Sequence, residues 1–429
     1  MTTNIKTLQH IKAGRQMRGI NKCTWKYLLT VLFILLLTAM LQSTGTAQPR
    51  VYVTNHCSNN VTVLDAATNT VISNINVGDV PYRAAVTPDG SRVYVPNAGS
   101  DTVSVINTAT NTVIATVPVG DSPFGVAITP DGTRAFITNG NSNTVSVINT
   151  ATNAVVNTIS VGIIPRGVTI SPDGSRAYVP NSGSNDVSVI DTATNTVIAT
   201  IPVEAFPIAA VNTPDGSRVY VTNYESNSVS VINTVTNTVI AAIPVGAGPE
   251  LVAITPDGSR AYVPNIKSDT VSVINTATNT VIATVPVGIF PFGAAITPDG
   301  TRAYITNINT GTLSVIDTTT NTVTATVSVG ECPFGIAISP LAPPNASAPV
   351  GGRVKSASGR GIFRARLNLT DSEGNTQTTY TNLLGYYRFK SVTVGKTYNL
   401  TIQSKFYEFA PRVLTINGEI KNLNFTAQQ

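Results

Sequence analysis

The chain has 429 residues, 42% of them hydrophobic and only 11% charged, with a formal net charge of +5. Six of the 27 bases and none of the 22 acids lie in residues 1–47, which leaves 21 bases against 22 acids in the remainder. The basic balance therefore belongs to the N-terminal segment, and the composition argues against a nucleic-acid partner.

That segment carries Lys6, Lys12, Arg15, Arg18, Lys22 and Lys26, then an apolar run from Tyr27 to Leu41, then Gly45-Thr-Ala47. This is the three-part pattern of a secretory signal, with cleavage expected after Ala47; an uncleaved signal anchor over residues 1–47 is the alternative. An apolar run of about 15 residues is short for a membrane span. Either way the expected location is secreted, cell-surface or periplasmic. No cysteine directly follows the apolar run to mark a lipoprotein.

Residues 50–340 repeat every 42 residues without insertion or deletion. The anchors are Tyr52-Val-Thr-Asn55, Tyr94-Val-Pro-Asn97, Phe136-Ile-Thr-Asn139, Tyr178-Val-Pro-Asn181, Tyr220-Val-Thr-Asn223, Tyr262-Val-Pro-Asn265 and Tyr304-Ile-Thr-Asn307. Pro-Asp-Gly recurs in phase at 88, 130, 172, 214, 256 and 298, and a Thr-Asn-Thr-type turn follows at Thr68, Thr110 and onward. Within one unit, Gly125–Thr129 is a short apolar run stopped by Pro130-Asp-Gly132. Three further β-rich stretches follow, separated by turns. Four antiparallel strands in 42 residues with no helical period predict an all-β propeller of seven four-stranded blades. A β-solenoid is the alternative, but its coils stack in parallel whereas these turns reverse the chain.

The series opens inside a blade at Arg50 and ends with an unpartnered inner strand, Gly335–Ser339. The two fragments complete one blade, so the C-terminal inner strand is expected to close the ring and hide its edges. These tetrapeptides resemble the YVTN-repeat propellers of secreted and surface-layer proteins, over all of residues 50–340. The resemblance implies an extracellular scaffold or binding module. It does not fix an activity, because one fold hosts many chemistries.

Leu341–Ala348 reads as a Pro/Ala/Ser linker. Residues 349–429 break the repeat and form a small β-sandwich pattern, with Val350-Gly-Gly-Arg-Val354, Ala365-Arg-Leu-Asn-Leu369 and Gly385-Tyr-Tyr-Arg-Phe389. Their order is similar to carboxypeptidase regulatory-like domains, which implies a transthyretin-like, noncatalytic appendage. Residues 48–348 carry 10 bases and 18 acids, whereas residues 349–429 carry 11 bases and 4 acids. Such a cationic tail could contact an anionic wall polymer or lipid headgroups.

Beyond residue 47 there is one histidine, His56, with no methionine and no tryptophan. Axial haem ligation or a multinuclear copper site draws on several such residues, so neither is expected, and no cofactor or metal is assigned. A serine triad would have to use His56, and no nucleophile elbow is present. Carboxylates remain available, but Asp89, Asp131, Asp173, Asp215, Asp257 and Asp299 recur in every turn, as Arg50, Arg92, Arg134, Arg176, Arg218, Arg260 and Arg302 do in the following strand. A residue required in every blade holds the blade, so no catalytic residue is assigned.

The opposite ends of the strands vary from copy to copy. The loops there supply Tyr82, Arg83, Phe124, Arg166, Phe206, Tyr224, Glu225, Glu250, Lys267, Phe292 and Phe334. Aromatics beside charges suit a protein, peptide or glycan partner, and function on rigid scaffolds gathers in variable loops. They could equally cap the central channel. A lactonase-like or polysaccharide-lyase-like enzyme using acids and arginines on this face is the rival reading.

Cys57 and Cys332 correspond by phase to Asn141 and Ser122. The hairpin turning at Asp131-Gly132 places opposite each other residues whose numbers sum to 263, as these two do. A disulfide that locks the closing blade is expected, with an exported location to preserve it.

Overall fold

The computed structural model describes residues 49–340, 347–371, 374–393, 397–416 and 420–427, within a compact unit spanning Ala47–Gln429. The expected signal (1–47) and most of the expected linker (341–346) lie outside the described residues. Residues 50–338 form seven four-stranded antiparallel sheets, one per repeat. The first blade takes its inner strand, Pro333–Ile338, from the far end of the repeat array; it pairs with Arg50–Asn55, followed by Asn60–Asp65 and Val71–Asn76. Inner strands of successive blades touch around a closed ring, including the seam.

The periodic residues hold one blade to the next. Each second-strand arginine donates from its guanidinium to the backbone carbonyl in the neighbouring blade's outer turn: Arg176 to Thr234 O at 2.6 Å, Arg218 to Thr276 O at 2.7 Å and, across the seam, Arg302 to Ala66 O at 2.8 Å. The tyrosine two residues later is fully buried, and in four blades its hydroxyl reaches the same turn, whereas those of Tyr52 and Tyr178 have no hydrogen-bond partner among the described residues. Tyr94, Tyr220, Tyr262 and Tyr304 donate to Oδ1 of Asn153, Asn279, Asn321 and Asn69 at 2.6–2.9 Å. Those asparagines adopt φ between 53° and 57°, the left-handed region that Asn tolerates better than most residues, which accounts for the Thr-Asn-Thr turn. At the Pro-Asp-Gly turn, Asp131 accepts from the Thr129 hydroxyl at 2.5 Å and from Thr133 N at 3.0 Å, and these bonds hold its carboxyl below the usual range.

Inner strands alternate in length. Blades with Thr in the tetrapeptide have six-residue inner strands, such as Pro123–Ile128, whereas those with Pro96, Pro180 and Pro264 have two-residue ones, Ala85–Val86, Thr169–Ile170 and Ala253–Ile254. Proline has no N–H to donate. Pairing to the third strand survives, with Pro96 opposite Val103 as Thr138 is opposite Val145, so the loss falls on the inner side. In the Thr blades the hydroxyl instead bridges two blades: Thr138 Oγ1 accepts from Gly125 N at 2.8 Å and donates to Arg166 O at 2.9 Å.

The disulfide Cys57–Cys332 is present, with Cα atoms 5.4 Å apart. The expected register is shifted by one. Inner and second strands pair as Val126 with Ile137, summing to 263, but a bulge then leaves Pro123 opposite Asn139, summing to 262. The cysteines are therefore diagonal neighbours, and in the third blade their counterparts are joined by a hydrogen bond from Asn141 Nδ2 to Ser122 Oγ at 2.9 Å.

The tail is a sandwich of a three-stranded sheet (Tyr386–Thr393, Ser347–Lys355, Phe425–Thr426) and a four-stranded one (Thr376–Tyr380, Arg366–Asp371, Thr397–Gln403, Arg412–Thr415). Alternating residues face its core, among them Leu367, Leu369, Tyr387, Phe389, Tyr398 and Leu400.

The third blade has Phe136 where six others have tyrosine, and Asn195 Oδ1 in the next turn is buried without a partner. Phe136→Tyr should supply the missing donor and raise the unfolding free energy by about 1 kcal/mol. Denaturant titration checks this; an unchanged or lower midpoint would show that the tyrosine bond does not hold blades together.

Candidate functional site

Two sets of connections meet at the variable face: the loops from each outer strand to the next inner strand, and the turns after each Tyr-Val-x-Asn strand. Their junctions are strained in a regular way. The residue before the loop proline has positive φ in all seven, at Val80, Ser122, Ile164, Phe206, Gly248, Phe290 and Cys332, and only one of these is glycine. A left-handed non-glycine residue costs roughly 1–2 kcal/mol, most for a branched side chain. Two hydrogen bonds offset that cost. The strained residue's N–H donates to an Asn or Asp side chain of the preceding blade, as Val80 N does to Asn59 Oδ1 at 2.9 Å, and its carbonyl accepts from the following turn. At Cys332 the preceding blade offers Gly311, which has no side chain, and the disulfide stands in its place.

The residue after each loop proline points toward the channel mouth, and there the blades touch across the ring. Tyr82 meets Phe124 (4.8 Å between centroids), Phe334 (5.1 Å), His56 (5.7 Å) and Phe292 (6.0 Å), mostly edge to face. His56 stacks on Phe334 at 4.3 Å. Burial lowers the His56 pKa, with backbone hydrogen bonding to Pro81 opposing it. Phe292 is only 4% exposed.

Three charged groups lie beside this aromatic cluster. Arg83 reaches from the second blade to the fifth, donating from NH2 to Ile208 O at 3.2 Å, and burial pulls its pKa from 12.5 to about 10 against the opposing effect of Tyr82 and Glu250. Arg166 donates to the Tyr82 hydroxyl at 3.3 Å and lies over the rings of Phe124 (4.7 Å) and Phe206 (5.7 Å). Nε of both arginines is buried without a partner. Glu250 is 7% exposed, and its carboxyl accepts no hydrogen bond from a described residue. Burial raises its pKa from 4.5 to about 7, against the opposing pull of Arg83, Arg166 and Lys267.

From Arg166 a strip runs outward across three blades. Phe206 lies 5.9 Å from Tyr224, and Lys267 Nζ sits 4.1 Å above the Tyr224 ring. Glu225 is exposed beside it and joins no cluster. The structure thus brings ten of the eleven candidate side chains into one connected group and leaves Glu225 outside. Sequence reasoning did not count His56 among the candidates, although it joins the cluster. It also passed over Phe290, 43% exposed on the rim, whose signal was the aromatic just before a loop proline. A cavity of about 500 Å³ lies at the opposite, constant face, lined by the repeating turn residues Asp257, Arg260 and Asp299.

Because folded Glu250 keeps its proton up to about pH 7 while the unfolded carboxyl releases it near 4.5, it contributes stability that is complete below pH 4.5 and lost as pH rises through about 7. The stability of the parent relative to Glu250→Gln should fall across that window. Melting temperatures measured at matched pH check this; a constant difference would mean that Glu250 does not titrate there.

No curated protein sequence matches the chain significantly. Among solved structures, hydrazine synthase of Kuenenia stuttgartiensis is 27% identical, with 62% of this chain and 92% of that one covered and a TM-score of 0.57. A functionally unknown protein from Desulfotomaculum acetoxidans is 23% identical (68% and 99% covered, TM-score 0.62). The periplasmic gluconolactonase of Pseudomonas aeruginosa is 19% identical (68% and 99%, TM-score 0.59). The likeness to the last two shows the fold alone. Residues 23–141 match the family model of the YNCE-like β-propeller, and residues 349–428 match that of the carboxypeptidase regulatory-like domain. The chain is a seven-bladed β-propeller, its first repeats matching the YNCE-like model, that carries a C-terminal carboxypeptidase regulatory-like domain.

Proposed function

We propose that this protein is an exported, noncatalytic scaffold whose propeller binds an extended chain, peptide or glycan, across its variable face. The observation that carries the reading is the strip Arg166, Phe206, Tyr224, Lys267, in which two cations flank two rings on consecutive blades. Ring faces stack on peptide or sugar, and the cations favour acidic groups along it. Tyr82, Phe124, Phe292 and Phe334 pack against one another beside this strip. The disulfide fits an oxidising, extracytoplasmic location.

An array of acidic peptides and glycans probed with residues 47–429 tests this. Phe206→Ala, Tyr224→Ala and Lys267→Ala combined should lower the signal at least about tenfold with little change in melting temperature. An undiminished signal would take binding off this strip.

A second reading rests on Glu250, whose buried carboxyl has a pKa of about 7 against the pull of Arg83, Arg166 and Lys267, as a general base would require. Hydrolysis of a lactone panel that disappears in Glu250→Gln while array binding persists would favour that enzyme over the scaffold.

A further inference from the structure

Antiparallel pairing places three loops of the tail sandwich at one end. Arg366 is opposite both Tyr380 and Gln403, and Arg353 is opposite Tyr386, so the connections 356–365, 381–385 and 404–411 emerge together. Gly361 lies against the backbone of Leu384, where a Cβ would come within 2.1 Å of its carbonyl oxygen, and residues of the first and third loops line one cavity of about 370 Å³.

These tips present large apolar side chains to water. Leu383 is 75% exposed, Leu384 63%, Phe406 78% and Phe363 51%. The Leu pair is held outward by its turn: Leu384 N and Tyr386 N both donate to Asn382 Oδ1 at 3.0 Å, and Gly385 takes φ 83°. Scattered exposed apolar residues need no explanation, but four on converging loop tips do.

Cations surround them. Arg360, Arg364 and Lys405 line the shared cavity, and no carboxylate pairs with any of them among the described residues. Arg364 and Lys405 lie 5.4 and 5.3 Å from the rings of Phe363 and Phe406. Glu408 is the sole acid in the three loops.

A soluble partner with an apolar patch would account for the leucines but not for three unpaired cations ringing them. Apolar tips with a basic collar match the two layers of a lipid surface, acyl chains below and anionic headgroups above. We propose that this end of the tail docks on an anionic membrane surface, with Leu383, Leu384, Phe363 and Phe406 inserted and Arg360, Arg364 and Lys405 at headgroup level. The inference concerns the tail alone and stands or falls apart from the propeller's ligand.

Residues 47–429, a compact unit without the N-terminal apolar run, are sedimented with phosphatidylcholine vesicles containing or lacking phosphatidylglycerol. Binding is expected only with phosphatidylglycerol, and it should fall about tenfold or more both in Leu383→Ser with Leu384→Ser and in Arg360→Glu with Lys405→Glu. Val235→Ser, an equally exposed apolar site on the propeller, should bind as the parent does. Residues 47–429 contain no tryptophan, so Leu384→Trp provides a single probe whose emission should shift to the blue on binding. Absent binding, binding indifferent to the leucines, or an unshifted emission would overturn the proposal. So would parent dimers that the leucine substitutions dissolve, since a second copy would then cover the tips.

Discussion

Pairing of Arg50–Asn55 with Pro333–Ile338 is the constraint on which the rest of the propeller depends. Every other blade is continuous in sequence and can form from local contacts. The first blade cannot, because its inner strand lies 281 residues away at the bridge from Gly335 N to Thr54 Oγ1. Loop-closure entropy for so long a separation opposes the contact, and the apolar cluster at the seam together with the ring of arginine, tyrosine and threonine bridges offsets it. The seam is also where one repeated support is missing, since Gly311 offers Cys332 no side-chain acceptor. A covalent bond at that position supplies what the repeat does not.

An odd number of blades adds a second consequence. Thr and Pro alternate at the third tetrapeptide position, and seven blades force two Thr blades, carrying Thr306 and Thr54, to be neighbours at the seam. Each carries a glycine next to its channel-facing aromatic, Gly293 and Gly335, where a Cβ would strike the following blade's backbone at 2.4–2.5 Å. The aromatic cluster gathers on this side, with Phe292, Phe334, His56 and Tyr82 in mutual contact. Arg83, Arg166 and Glu250 lie beside it, and the strip through Phe206 and Tyr224 to Lys267 runs outward from Arg166. That strip underlies the proposal of an acidic chain lying across one side of the disc.

Much of the architecture was legible because a fixed period repeats the same physics: the Arg134 anchor and the Asn153 left-handed residue appear in all seven copies, and the Asp131 turn in six. Ring closure and the cysteine pair followed from phase alone. The bulge at Phe124-Gly125 was not legible, since it depends on Thr138 turning its hydroxyl into the ladder. The truncated inner strands were visible in principle, in Pro96, Pro180 and Pro264, but their effect falls on a partner strand rather than on the proline itself. At the site, the identity of the variable residues could be read. Their mutual contacts could not. Arg83 reaching Ile208 and Arg166 reaching Tyr82 join residues 125 and 84 positions apart across a channel whose width no local pattern encodes.

The central claim is a ring closed by the two ends of its own repeat array. Peptide mapping by mass spectrometry of the unreduced, rapidly alkylated protein tests it most directly. A single cross-linked species joining the peptides of Cys57 and Cys332 is the result expected. Both cysteines recovered as alkylated thiols would contradict the closing register and the seventh blade built upon it.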